Sequence, residues 1–123
     1  MKDQDIYKEI GQILFNESPN IENEVHLVCK VLKHSVAQHV WFGNTGRVKE
    51  NIFKFSRENA MTVSTLSLDL KKFFIENNLG DWNIFYYKLL VKENRFETKF
   101  EFSEGIDDGT LAFWKYVQRF DPK

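Results

Sequence analysis

The sequence predicts an α+β fold: an antiparallel β-sheet of about five strands with N-terminal, middle and C-terminal helices, in the order α-β-β-β-α-β-β-α. Three observations carry this. Arg95 to Ser103 alternates strictly, with Phe96, Thr98, Phe100 and Phe102 on one side and Glu97, Lys99, Glu101 and Ser103 on the other, the period of a half-buried strand. Trp82 to Val91 is apolar on both faces and is joined to it by the hairpin-length link Lys92-Glu93-Asn94, so the two runs read as a two-stranded ribbon at the heart of the sheet. Elsewhere the apolar period changes to that of a helix.

The first helical stretch is residues 5–17, where Ile6, Ile10, Ile13 and Leu14 form one apolar stripe. Asp3 or Asp5 is placed to cap it, and Gly11 weakens it by roughly 1 kcal/mol against alanine if exposed. Ser18-Pro19-Asn20 ends it, because a residue before proline avoids the helical region. Glu24 to Leu32 reads as a strand with Val25, Leu27, Cys29 and Val31 on one face. Val36 to Phe42 reads as a second strand, and Arg47 to Phe53 as a third, more polar and nearer an edge. Gly43-Asn44-Thr45-Gly46 is a turn signal between them. From Thr62 to Asn78, Val63, Leu66, Leu70, Phe73 and Phe74 share a helical face, with Leu79-Gly80 as its stop and Ser56 to Met61 open between a first turn and a loop. Glu104 to Gly109 reads as an acidic loop and Thr110 to Phe120 as a closing helix with Leu111, Trp114 and Val117 buried and Phe113 a further candidate.

The chain of 123 residues is expected to form one domain, and 15% aromatic content supplies a core. A net charge of −1 implies no wholesale attraction to nucleic acid or anionic membrane. One cysteine, Cys29, permits no internal disulfide and fits a reducing cytoplasm. No apolar run has the length of a membrane span, and the N-terminus enters an amphipathic pattern where a signal peptide would be apolar.

Chemistry is sparse in this sequence. His26, Cys29, His34 and His39 make no metal site, because His26 and Cys29 lie three apart on a strand and face opposite sides, and no paired ligand spacing occurs. The glycine turn lacks the Lys-Ser/Thr pair of a phosphate loop and precedes a strand. The aromatics are not interleaved with Lys and Arg as a base-stacking surface requires, so they read as core. Glu104, Asp107 and Asp108 lack the spacing of an EF-hand. They read either as a solvated loop or, with Glu101, as an acidic contact for a basic protein. Trp114 lies just downstream and has two readings, a core residue or an aromatic anchor of that contact.

Four segments carry a likeness that spans the chain: Ile6-Tyr7-Lys8-Glu9-Ile10-Gly11-Gln12-Ile13-Leu14 with the break at Ser18-Pro19, the strand around Val25 to Leu32, the long helix ending before Gly80-Asp81-Trp82, and Leu111-Ala112-Phe113-Trp114-Lys115-Tyr116. In these the chain resembles the YezG-like immunity proteins of bacterial polymorphic toxin systems. The resemblance implies a protein without enzymatic activity, and no catalytic residue, metal or cofactor is expected. It implies stoichiometric binding of a cognate toxin domain, a nuclease, encoded by the neighbouring gene, with neutralisation in the cytoplasm. Glu101, Glu104, Asp107, Asp108 and Trp114 are then the expected partner-binding residues. The competing expectation is a small cytoplasmic α+β enzyme or ligand-binding domain, which a ligand-sized pocket with convergent polar groups would favour.

Overall fold

A computed structural model describes residues 2–19 and 24–122 of the chain. The elements are α1 (Asp3–Glu17), β1 (Glu24–Val31), β2 (Val36–Phe42), β3 (Ile52–Phe53), α2 (Arg57–Glu76), β4 (Ile84–Leu90), β5 (Arg95–Glu101), α3 (Glu104–Asp108) and α4 (Phe113–Tyr116). Short 3-10 turns occupy Lys49–Asn51, Val91–Glu93 and Val117–Phe120. The five strands form one antiparallel sheet in the order β3-β2-β1-β4-β5, and the fold is α+β as expected.

The centre of the sheet is β1, not the ribbon. Leu27 lies opposite Val40 on one side and Tyr87 on the other, and Val25 through Cys29 are all buried. Of the two ribbon strands, β4 is internal and β5 is an edge. The alternating charges of β5 suit that place, since an edge strand needs polar side chains to resist further pairing.

Two layers cover the sheet. On one face α1 and α2 bury Val25, Leu27, Cys29 and Val31 of β1 together with Val40, Phe85 and Tyr87. On the other face Val28, Trp41 and Ile84 are covered by Ile106, Tyr116 and Val117 from the C-terminal segment. Each such side chain contributes roughly 1.5–3 kcal/mol on leaving water. No helix among the described residues is long and apolar enough to cross a membrane.

The stripe of α1 is buried as its period requires, and Tyr7 and Gly11 are buried with it. Asp3 and Asp5 do not cap this helix. Lys2 holds the cap position, and the two carboxylates sit in the first turn, where they face the positive end of the helix dipole. Gly11 is not an exposed weak point. A Cβ built on it lies 2.6 Å from the Tyr87 hydroxyl, which itself donates to Tyr7 O at 2.8 Å. Gly11→Ala is therefore expected to lower stability by about 1–2 kcal/mol despite the helix preference of alanine. In a Tyr87→Phe background the same change should become neutral or favourable. Urea denaturation of the four proteins checks this, and a more stable Gly11→Ala single variant would contradict the close contact.

The middle helix α2 begins earlier than its apolar face reveals. Ser56 caps it by accepting from Asn59 N at 3.2 Å, and Glu17 Oε1 accepts from both Ser56 N and Asn59 Nδ2. These polar bonds tie the end of α1 to the start of α2, so the first turn shows no apolar period. Helix α2 stops at Glu76, and the reversal uses Asn78 (φ 54°) and Gly80 (φ 114°).

The third strand is two residues instead of the expected seven. Arg47 N–H donates to Phe120 O at 2.8 Å, Val48 N–H donates to Asn51 Oδ1 at 2.8 Å, and Lys49–Asn51 closes as a 3-10 turn. Those backbone groups are not free to pair with β2. The Gly43–Gly46 turn carries both glycines at positive φ, and a Cβ on Gly46 would meet Pro122 N at 3.0 Å.

The C-terminal segment also differs from the expected loop and single helix. Residues 104–108 form α3, capped by Ser103 accepting from Ile106 N at 3.3 Å and closed by Gly109 in the left-handed conformation (φ 81°). The chain re-enters a helix only at Phe113. This break shifts the helical phase, so Tyr116 and Val117 turn inward and Trp114 turns out, 67% exposed.

Candidate functional site

The end of β5 and the residues that follow it form a charged rim. From 101 to 115 the chain holds four carboxylates against one lysine, within a protein of net charge −1. The start of this segment is pinned by a buried side-chain amide. Asn83 Nδ2 donates to Ser103 O and Ser103 N–H donates to Asn83 Oδ1, each at 2.8 Å, so Asn83 acts as a strand partner where the ladder ends. A second anchor is Ile106, 3% exposed, which packs beside Ile84 and Tyr116.

With Ile106 turned inward, Glu104, Asp107 and Asp108 are exposed, and residues three and four apart on a helix share a face. The structure thus brings these three expected residues together. Asp108 Oδ1 accepts from both the hydroxyl and the backbone N–H of Thr110, at 2.7 and 2.9 Å. These bonds, the hydroxyl first, hold its carboxyl below the usual range, so it is ionised at neutral pH.

Glu101 is placed differently. Its carboxylate accepts from the Tyr116 hydroxyl and lies 3.3 Å from Arg119 Nη1, while the Arg119 guanidinium sits 3.7 Å above the Tyr116 ring. Burial and this bond push the Tyr116 phenol above its ordinary pKa. Glu101 therefore clamps the C-terminal segment onto β5. A cavity of about 470 Å³ lies beside this clamp, walled by Tyr86 and Phe120, and its charged groups include Lys99, Glu101 and Arg119. Tyr116, Glu101 and Arg119 bond to one another, and all three residues also line the cavity.

Trp114 stands in solvent, 67% exposed, so its core reading is replaced by the exposed one. Phe102 is also 45% exposed, although its place in the alternation put it with Phe96 and Phe100; β5 ends at Glu101, one residue before it. Sequence reasoning missed Phe102 and the Tyr116–Arg119 pair. A spacing of three between an aromatic and an arginine was the available signal for the latter.

His26, His39 and the cysteine are held by their neighbours in the fold. His26 Nε2 lies 2.8 Å from Gly43 O, which only accepts, so Nε2 carries the proton and Nδ1 accepts from the Tyr86 hydroxyl at 2.6 Å. The ring stacks on Trp41 at 4.9 Å, and burial lowers its pKa despite Glu24 at 3.3 Å. His39 Nε2 accepts from Arg47 Nη1 at 3.0 Å, while Arg47 Nε donates to Asp121 Oδ1 at 2.7 Å. His34 is exposed in the β1–β2 turn. The Cys29 thiol is fully buried against Ser67, and burial pushes it up to about 12, the opposite of a reactive cysteine. Among the described residues no group of three or more His, Cys, Asp or Glu is placed to hold a metal ion.

What the fold and this rim define is an α+β protein presenting an acidic, aromatic-flanked surface on a short helix capped by Ser103. No protein-family model matches the chain, and no curated protein matches it in sequence.

Proposed function

We propose that this protein is an immunity protein: it binds a cognate bacterial toxin domain, a nuclease, in the cytoplasm of the producing cell and blocks it by stoichiometric association, without chemistry of its own. The observation that carries the reading is the exposed acidic face of α3, Glu104, Asp107 and Asp108, with Trp114 exposed just downstream. A nuclease must present positive charge to hold phosphates, and carboxylates can steer encounter with that surface and then occupy it. An exposed tryptophan supplies the kind of anchor that dominates interface energy. The segment-by-segment likeness to YezG-like immunity proteins points the same way.

Co-expression with the product of the neighbouring gene, followed by co-purification, tests the association. Within that complex, Asp107→Lys with Asp108→Lys is expected to slow association roughly tenfold at low salt and to leave the domain folded, because both side chains are exposed and only the local Asp108–Thr110 bonds are lost. Protection of cells should weaken in parallel. A folded double variant that binds and protects like the wild type removes α3 from the interface. Failure of the wild type to bind its neighbour-encoded partner removes the immunity reading itself.

A further inference from the structure

The two edges of the sheet are built differently. On β5 the outward charges Arg95, Glu97, Lys99 and Glu101 blunt the edge. At the opposite edge β3 pairs only with Val40 and Trp41, which leaves the first half of β2 without a neighbour. The bonds Leu32 N–H to Ser35 O (2.9 Å) and Gly43 N–H to Glu24 O (2.8 Å) close the two ends of the β1–β2 ladder. Antiparallel bonding alternates along a strand, so Ala37, His39 and Trp41 bond to β1, and Val36 and Gln38 aim their N–H and C=O outward. Nothing among the described residues bonds to these outward groups. Within β2 itself no lysine, glutamate, proline or bulge guards them.

Beside this edge runs a groove of about 650 Å³ between β2, the β3–α2 connection and the start of α2. Val36, Phe53 and Phe55 supply apolar wall, and Lys54 and Arg57 stand at it. Both cations are exposed, neither is in an ion pair among the described residues, and no carboxylate lines the groove.

We propose that the free half of β2, from Val36 to Gln38, is a docking edge for an extended acidic segment of another protein, which adds there as a sixth strand continuing the line of β3. Main-chain bonds to Val36 and Gln38 supply affinity, and alternate side chains of the guest supply specificity. The charge of the groove selects acidic side chains for the guest. A second copy of this chain is a poor guest, because pairing two β2 edges would bring Lys54 and Arg57 of one copy toward those of the other. The inference does not depend on the immunity reading, since the acidic rim follows β5 and this edge lies at the other end of the strand order.

The test uses isotope-labelled full-length protein and three synthetic peptides: an eight-residue strand alternating Val or Thr with Glu, the same peptide with Lys for Glu, and the Glu peptide with a central proline. The Glu peptide is expected to shift the Val36 and Gln38 amide resonances and slow their hydrogen exchange roughly tenfold or more at saturation. The Lys and proline peptides should do neither. Lys54→Glu with Arg57→Glu should abolish the response and leave the remaining spectrum unchanged. Three results overturn the proposal: no shift at these amides, equal binding by the Lys peptide, or protection that rises with protein concentration in the absence of peptide, which assigns the edge to a second copy.

Discussion

Phe85→Ala is expected to cost about 3–5 kcal/mol of folding stability. Phe85 is fully buried on β4 and is ringed by aromatics, with centroids of Tyr7, Trp82, Tyr87 and Phe100 at 6.4, 5.9, 6.2 and 5.3 Å. Its backbone sits between β1 and β5, opposite Cys29 and Phe100, so no neighbouring element can slide in to fill the cavity. Against a total stability of roughly 5–15 kcal/mol, the loss leaves the fold marginal. Phe100 stacks on Phe85 but is only half-buried at the edge strand, and Phe100→Ala should cost less, about 2 kcal/mol. Urea denaturation measures both. Equal costs would show the two rings to be equally enclosed, and a loss under about 1 kcal/mol at Phe85 would place that face of the sheet in solvent.

Trp114→Ala is expected to do the reverse: leave stability within about 0.5 kcal/mol of wild type and weaken partner binding by about 2 kcal/mol or more, some thirtyfold in Kd. The side chain is 67% exposed on α4, whose inward residue is Tyr116, followed by the buried Val117 of the next turn, so the free protein loses little packing without it. Tyr116→Ala is the contrasting control, because it removes a buried ring and the hydroxyl that holds Glu101. Calorimetric titration of the co-purified partner with each variant separates the two roles. Wild-type affinity in the Trp114→Ala protein excludes this tryptophan as an anchor.

The strands β1, β2 and β4 and both long helices were legible because burial on a regular element imposes a regular apolar period. What escaped the sequence is what distant residues impose. Arg47 has ordinary strand neighbours, yet its bonds to Phe120, His39 and Asp121 prevent a longer β3. Trp114 was misphased because the interruption at Gly109–Ala112 resets the helical frame, and an apolar stripe counted from Thr110 runs through that interruption. Glu101 was legible as an acid of the rim, but its partners lie fifteen and eighteen residues away with no local pattern linking them. The order of strands, and with it the unpaired half of β2, is not written in any local period at all.

The strand order also sets how the molecule comes apart. Neighbours β1 and β2 are joined by a tight turn, as are β4 and β5, so the sheet consists of two hairpins, with β3 appended to the first. The single ladder between the hairpins runs from Glu24 opposite Leu90 to Lys30 opposite Ile84, bringing together strands separated by the whole of α2. A lone two-stranded ribbon is marginal in water. Neither hairpin outlasts the loss of this seam, and both helical layers lose their floor with it, because each rests on residues from both sides. Cooperativity is thus concentrated in one line of seven residue pairs, and the ends of the sheet are bystanders to it.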